Sequence, residues 1–204
     1  MKRRFYKIHI GCFLTAGLLA MINLLQAQTE KGMFIVGGNA DISESIQNTT
    51  HNFNFSIAPS FGAFIINNLG IGGVYSFSAG SSNVLNSNES RTTTTTFNTL
   101  VGPFLKYYIG KKGMKPFISA NGGYSVHTQL RSTSSATSTG STSITNYDGF
   151  SMGGSAGIAY FFNPHLSLES ALYINTSGYQ TLIPTTRFGF SLGLYAFLDK
   201  KKPE

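Results

Sequence analysis

The residues suited to acid–base chemistry are few and widely spaced. Beyond residue 27 the sequence holds three histidines: His51, His127 and His165. His127 shares one face of an alternating segment with Ser125, but no carboxylate continues that pattern, and Glu44 is the acid nearest to His51. A hydrolase needs a nucleophile, a base and an acid that orients the base, all within hydrogen-bond reach. The sequence therefore predicts no catalytic residues.

The sequence also offers no residues for thiol catalysis, metal binding or phosphate binding. The single cysteine, Cys12, lies in the amino-terminal segment. No pair of histidines or carboxylates has the spacing of metal ligands, and the glycines follow a two-residue alternation instead of a phosphate-binding loop. We therefore predict no metal-binding residue, no cofactor-binding residue and no cofactor.

Three charged residues remain that interrupt otherwise uncharged segments: Lys106, Glu169 and Arg187. Each falls in a stretch where apolar residues alternate with small or polar ones, and each lies on the small or polar side. What they can do depends on which surface that side faces. The elements that carry them must therefore be predicted first.

The clearest alternation runs through residues 150–174, with one break at 163–165. Because a strand points successive side chains to opposite faces, this pattern gives an apolar face and a face of Gly, Ser and Ala with one Glu. A face in water would carry more Lys, Glu and Arg, whereas a narrow closed interior tolerates small residues. Charged residues make up only 11% of the chain, against about 25% in ordinary soluble domains. The pattern predicts two strands of a membrane barrel.

Eight such segments are predicted between residues 34 and 198. The polar or longer connections are 45–51, 80–91, 132–146 and 178–185, and the short turns are 65–68, 110–115 and 162–165. Long and short connections alternate, so all long loops fall at one end, as in transmembrane barrels. The predicted fold is all-β, an eight-stranded antiparallel up-and-down transmembrane β-barrel, whose interior is just wide enough for side chains to fill.

The connection at 132–145 is almost wholly Ser and Thr. Because this composition is too polar to pack into a core, we predict a mobile loop there.

The first 27 residues have the features of an export signal. A basic start is followed by a largely apolar run at 10–25 and by Ala27 at the expected cut. The run is shorter than the ~20 residues of a spanning helix. We predict a cleaved signal peptide at 1–27 and an outer-membrane barrel domain at 28–204. Without the four basic residues of the signal, the net charge falls from +7 to +3, and no nucleic-acid partner is predicted.

Two sequence patterns resemble small outer-membrane β-barrel domains of the OmpA/OmpX type, which are often labelled porin-like. One is Ile57-Ala58-Pro59-Ser60-Phe61-Gly62 followed, after a turn, by Leu69-Gly70-Ile71-Gly72-Gly73. The other is the last strand, Ser191-Leu192-Gly193-Leu194-Tyr195-Ala196-Phe197-Leu198, although residues 199–204 follow it. The resemblance implies location in the outer membrane of the cell, contact with outer-membrane lipids, and recognition of the last strand by the outer-membrane assembly machinery.

In such a barrel the three charged residues face the lumen. Lys106 and Glu169 each lie four residues from a short turn, so they are predicted to lie at similar depth and to pair, because an isolated interior charge is far more costly than a paired one. Arg187 completes the predicted lumen polar cluster and should lie nearer the outer rim, toward Arg131 and His127. The sequence identifies no acid partner for Arg187.

These features leave several hypotheses about function. The first is a non-enzymatic outer-membrane barrel with a structural or surface-interaction role, whose extracellular loops offer a surface to a ligand. The alternatives are a narrow porin-like channel for small solutes, a lipid-A-modifying barrel enzyme, and a soluble lipocalin-like barrel. Apolar side chains on the outer face of nearly every strand speak against the soluble barrel, since they would form too large a patch in water.

Overall fold

A computed structural model describes residues 29–47, 50–85, 91–110, 113–135, 138–179 and 184–199. The predicted signal peptide at 1–27 lies outside these residues. Within them, no helix is long and apolar enough to cross a membrane.

The described chain forms eight strands. They are β1 (Phe34–Gln47), β2 (Thr50–Ile66), β3 (Leu69–Leu85), β4 (Arg91–Tyr108), β5 (Met114–Ser135), β6 (Ser138–Asn163), β7 (Leu166–Tyr179) and β8 (Thr185–Leu198). Each strand pairs antiparallel with the next, and β1 pairs antiparallel with β8, so the sheet closes into a barrel. The predicted eight-stranded up-and-down barrel is confirmed.

The two faces of the wall differ as the alternation predicts. Large apolar side chains are exposed on the outer face of every strand; examples are Val36, Phe61, Ile71, Leu105, Ile118, Ile158, Leu172 and Leu192. Exposed apolar area on this scale is unfavourable in water and suits the hydrocarbon of a bilayer. We call this outer surface the apolar belt.

The strands are longer than a membrane requires. β5 has 22 residues and β6 has 26, whereas a tilted membrane strand needs about 10. The prediction of a mobile loop at 132–145 is wrong for the described residues, because Thr133 pairs with Ser141 and Ser135 pairs with Ser138. Threonine is β-branched and favours extended backbone. Hydrogen bonds between the two strands hold this hairpin together, although its residues are too polar to form a hydrophobic core.

The same correction applies to the other predicted loops at this end. Residues 45–47 belong to β1, 50–51 to β2 and 80–85 to β3, so the sheet continues where polar loops were expected. We call this end of the barrel the loop end. The opposite end, which holds the β2–β3, β4–β5 and β6–β7 turns, is the turn end.

The chain before β1 folds against the turn end. The amide of Asn68, which adopts a positive φ of 68° between β2 and β3, donates to the carbonyl of Thr29 at 2.7 Å. Gly32, at φ 93°, donates its amide to the Phe64 carbonyl at 2.8 Å. Lys115 Nζ donates to Thr29 Oγ1 at 2.6 Å. These bonds fix residues 29–33 across the mouth of the barrel as a strap.

Candidate functional site

The lumen is closed at the turn end by a packed aromatic cluster. The buried residues of this cluster come from seven strands and from the segment before β1, and they include Ile35, Phe64, Tyr108, Phe117, Phe161, Tyr195 and Phe197. The rings of Phe161 and Phe197 stack at 5.1 Å between centroids, and Tyr108 meets Phe161 edge-on at 6.2 Å. These are the offset and edge-to-face contacts that aromatic side chains prefer. We call this cluster the aromatic plug.

A buried ion pair lies directly above the aromatic plug. Lys106 Nζ is 2.7 Å from Glu169 Oε2, and the side chains are 4% and 1% exposed. The hydroxyl of Tyr108 donates to the other carboxylate oxygen of Glu169 at 2.6 Å. The ammonium of Lys106 also lies 3.6 Å from the ring centroid of Tyr195. Both carboxylate oxygens and the ammonium therefore have partners, which a buried pair needs to be tolerated.

The structure brings Lys106 and Glu169 together at the depth that their distances from the short turns predict. The contributions of Tyr108 and Tyr195 were missed, although the alternation carried a signal for one of them. Tyr108 follows Lys106 by two residues and so faces the lumen beside it. Tyr195 comes from β8, and nothing local to its sequence indicates that its ring meets Lys106.

Arg187 does not join this ion pair. In the β7–β8 register Glu169 lies opposite Gly193, whereas Arg187 lies opposite Asn175, six residues closer to the loop end. Arg187 instead lines the upper lumen together with His127. The predicted cluster therefore divides into a buried pair near the turn end and a separate cation toward the loop end.

Above the ion pair the lumen widens into a cavity of about 600 Å³. Its floor includes Phe104, Lys106 and Tyr195. Its walls are mainly amides and hydroxyls, among them Asn39, Asn98, Asn121, Asn175, Ser151 and Tyr179. The inward residues here are small or polar and leave the lumen open. At the turn end the aromatic plug fills the lumen instead. We call this space the lumen cavity.

A glycine lets one cavity side chain cross a neighbouring strand. Tyr173 on β7 reaches over β8 and donates its hydroxyl to Asp41 Oδ1 on β1 at 3.4 Å. A Cβ at Gly189 of β8 would lie 2.7 Å from the Tyr173 hydroxyl oxygen. Only glycine at this position leaves room for the ring, so Gly189 is required for the Tyr173–Asp41 contact.

The histidines do not form a hydrolytic arrangement in the described part of the chain. The ring of His127 hydrogen bonds to Asn98 and packs against Tyr147 and Tyr179 at centroid distances of 6.0 and 5.5 Å. Ser125 is bonded to Ser151, at 2.8 Å. Within the described part of the chain no carboxylate contacts His127, so the acid that would orient a catalytic base is missing from this set.

The other two histidines are no better placed. His165 lies at the turn end, where its Nδ1 is 3.0 Å from the Phe197 carbonyl and its Nε2 is 4.0 Å from Asp199. The side chain of His51 lies outside the description. Over the described ranges, no group of three His, Cys, Asp or Glu side chains could hold a metal ion.

Comparison with known proteins concerns the fold. No family model and no curated protein matches the sequence. Neisserial surface protein A has 17% identity and a TM-score of 0.53, with 81% of this chain and 99% of that chain covered. OprG from Pseudomonas aeruginosa has 12% identity and a TM-score of 0.51, with 86% of this chain and all of that chain covered. The fold is that of the small outer-membrane barrels. The structural resemblance predicted from the sequence is therefore confirmed.

Proposed function

We propose that this protein is a non-enzymatic barrel of the outer membrane that does not conduct solutes and acts through its loop end at the cell surface. The apolar belt supports insertion into a bilayer, and the fold matches that of outer-membrane barrels. Outer-membrane lipids would surround the belt. The last strand, β8, would be the segment that the assembly machinery recognises.

The observation that carries the proposal against a channel is the closed turn end. A solute in the lumen cavity would have to displace the aromatic plug and separate Lys106 from Glu169 to leave the barrel. Separating a buried pair leaves a desolvated charge without a partner, which is strongly unfavourable. The lumen therefore serves as a blind cavity.

The loop end supplies the surface for interaction. β5 and β6 extend well past the length that spans a membrane, and their outer parts pair Ser and Thr residues across the hairpin. A paired hairpin keeps its shape, so it presents hydroxyls in a fixed array to a partner. This rigid ribbon, instead of a set of loose loops, is the proposed contact surface.

Single-channel recording in planar bilayers tests the absence of conduction. The protein is purified, refolded and inserted, and insertion is verified by a gel mobility that changes on heating. We expect inserted protein to give no steady openings. Steady openings from the wild-type protein would show instead that the lumen conducts and would favour the narrow channel.

A lipid assay tests the absence of enzyme activity. Refolded protein is incubated with lipid A in vesicles, and released fatty acid is measured. We expect no release above that from vesicles alone. Release that disappears in a His127→Ala variant would overturn the non-enzymatic proposal.

A further inference from the structure

The seam that closes the barrel is short. β1 and β8 pair over seven positions, from Phe34 opposite Leu198 to Ala40 opposite Leu192. By contrast, β7 and β8 pair over twelve. β1 continues to Gln47 and β8 begins at Thr185, yet no pairing joins residues 41–47 to residues 185–191 in the described backbone. Each of these segments keeps its other neighbour, so the wall has a cleft that runs from the Ala40–Leu192 pair to the loop end.

The cleft begins within the thickness of the apolar belt. The belt starts at the turn end, where Phe34 and Leu198 are exposed. Six residue steps of about 3.3 Å on strands tilted by about 40° rise roughly 15 Å, less than the ~25 Å height of an apolar band. The outward side chains that border the cleft are also apolar: Ile42 is 71% exposed and Phe188 is 88% exposed. The cleft therefore faces the hydrocarbon of the outer leaflet.

The cleft borders the lumen cavity. Residues on both sides of the cleft line this cavity: Asp41 on β1, and Arg187 and Phe188 on β8. Tyr173 crosses the inner side of the cleft, and its hydroxyl bond to Asp41 is long, at 3.4 Å. The cleft therefore has the polar lumen on its inner side and the exposed side chains of Ile42 and Phe188 on its outer side.

The charges around the cleft favour an anionic ligand. Lys106 is paired with Glu169, and Asp41 accepts the Tyr173 hydroxyl. Arg187 has no ion-pair partner in the described part of the chain, and it faces the cavity beside the cleft. A guanidinium is well suited to bind a carboxylate or phosphate through paired hydrogen bonds.

The free strand edges also need polar partners. In hydrocarbon, backbone N–H and C=O groups without partners are costly, so an open sheet edge is tolerated only where it borders a polar cavity or a ligand. We propose that the cleft admits a single-chain anionic amphiphile, such as a fatty acid, from the outer leaflet. The head group binds Arg187 in the lumen cavity, and the chain passes between β1 and β8 and lies against Ile42 and Phe188. The inference rests on the proposed insertion in the outer membrane.

Binding of radiolabelled dodecanoate tests the ligand. The refolded wild-type protein in nonionic detergent should bind one equivalent saturably, and Arg187→Gln should weaken binding about tenfold or more. The matched variant Arg91→Gln, on β4 away from the cleft, should bind as the wild type does. Equal binding by all three proteins would mean simple partition into the micelle and would overturn the proposal.

Competitors identify what the site selects. Excess unlabelled dodecanoate should displace the probe, whereas acetate and dodecyltrimethylammonium at the same concentration should not. Displacement by acetate would indicate a site for free anions and would overturn the assignment of an amphiphile. Displacement by the cationic amphiphile would overturn the role of Arg187.

Disulfide trapping tests the cleft independently of any ligand. The pair Ala40→Cys and Leu192→Cys is directly opposed in the seam. The pair Ile42→Cys and Phe190→Cys would be opposed in the same way if the ladder continued. Because disulfides require closely spaced Cα atoms, oxidation should crosslink the first pair and leave the second unlinked. Equal crosslinking of both pairs would show that the seam closes and would overturn the cleft.

Failure of this inference can be distinguished from failure of the proposed function. Conduction by the wild-type protein would contradict the blind lumen but would leave dodecanoate binding to be measured. Equal binding by Arg187→Gln would remove the ligand site while the non-conducting barrel stands.

Discussion

The two halves of the lumen are built from the same eight strands and the same two-residue alternation, yet one is solid and the other is hollow. Near the turn end, the inward positions hold Phe, Tyr, Lys and Glu, which fill the barrel and satisfy one another. Toward the loop end they hold Gly, Ser and Asn, which leave a cavity of about 600 Å³. The comparison shows that side-chain volume at a few inward positions, and not strand number alone, decides whether a small barrel contains a plug or a pocket.

The largest effect is expected from breaking the ion pair in the solid half. Glu169→Leu leaves the Lys106 ammonium buried without its counter-charge and leaves the Tyr108 hydroxyl without its acceptor. We expect a loss of about 5 kcal/mol in the free energy of unfolding, the upper end of the range for breaking a buried pair. Urea unfolding in lipid vesicles measures it.

The double variant Lys106→Met with Glu169→Leu is the matched control. Because it removes both charges, it should recover most of the lost stability. A loss below about 1 kcal/mol in Glu169→Leu would mean that water reaches the pair and that this half is not solid.

The next effect is expected from the aromatic plug. Phe197→Ala removes a fully buried ring that stacks on Phe161 and Phe64. We expect a loss of about 3 to 4 kcal/mol in the free energy of unfolding, as for other large-to-small changes in packed cores. The same unfolding assay applies. A change of less than about 1 kcal/mol would contradict tight packing at the turn end.

A smaller effect is expected in the hollow half at Gly189. A Cβ in Gly189→Ala would push the Tyr173 ring away from Asp41, at a cost of about 1 kcal/mol for the lost hydrogen bond. The matched control is Gly73→Ala, where a Cβ would meet nothing within 4 Å, and its stability should change less. Equal stability of the two variants would show that Tyr173 does not depend on Gly189.

The smallest effect is expected beyond the membrane. Replacing residues 131–143 of the β5–β6 hairpin by an Asn-Gly turn removes a segment made mostly of Ser and Thr, whose described pairs include Thr133–Ser141 and Ser135–Ser138. We expect the free energy of unfolding to change by about 0.5 kcal/mol or less, with the heat-dependent gel mobility retained. Failure of this variant to fold would show that the hairpin contributes to the barrel itself.

The sequence predicted what depends on local periodicity. Alternation identified the eight strands, and the distance of Lys106 and Glu169 from their turns was enough to pair them, because short turns fix register at the turn end. The lengths of β5 and β6 could not be predicted from the sequence, because Ser and Thr at 132–145 suit a loop as well as a paired hairpin.

Contacts between strands that are far apart in the sequence could not be predicted from the alternation within each strand. The ring of Tyr195 reaches Lys106 from another strand, and Tyr173 crosses Gly189 to reach Asp41. The short seam between β1 and β8 depends on how the first and last strands meet around the whole ring. The spacing of residues within β1 or within β8 does not predict the register between the two strands.

The short seam has a mechanical consequence. If the carboxyl terminus of the chain is pulled, the strand ladder with the fewest pairs should separate first. Here that ladder is the one between β1 and β8, with seven pairs. The strap at 29–33 ties the base of β1 to the β2–β3 turn by bonds that do not involve β8. Under traction on the chain terminus, β8 is therefore the strand that peels away while β1 stays attached.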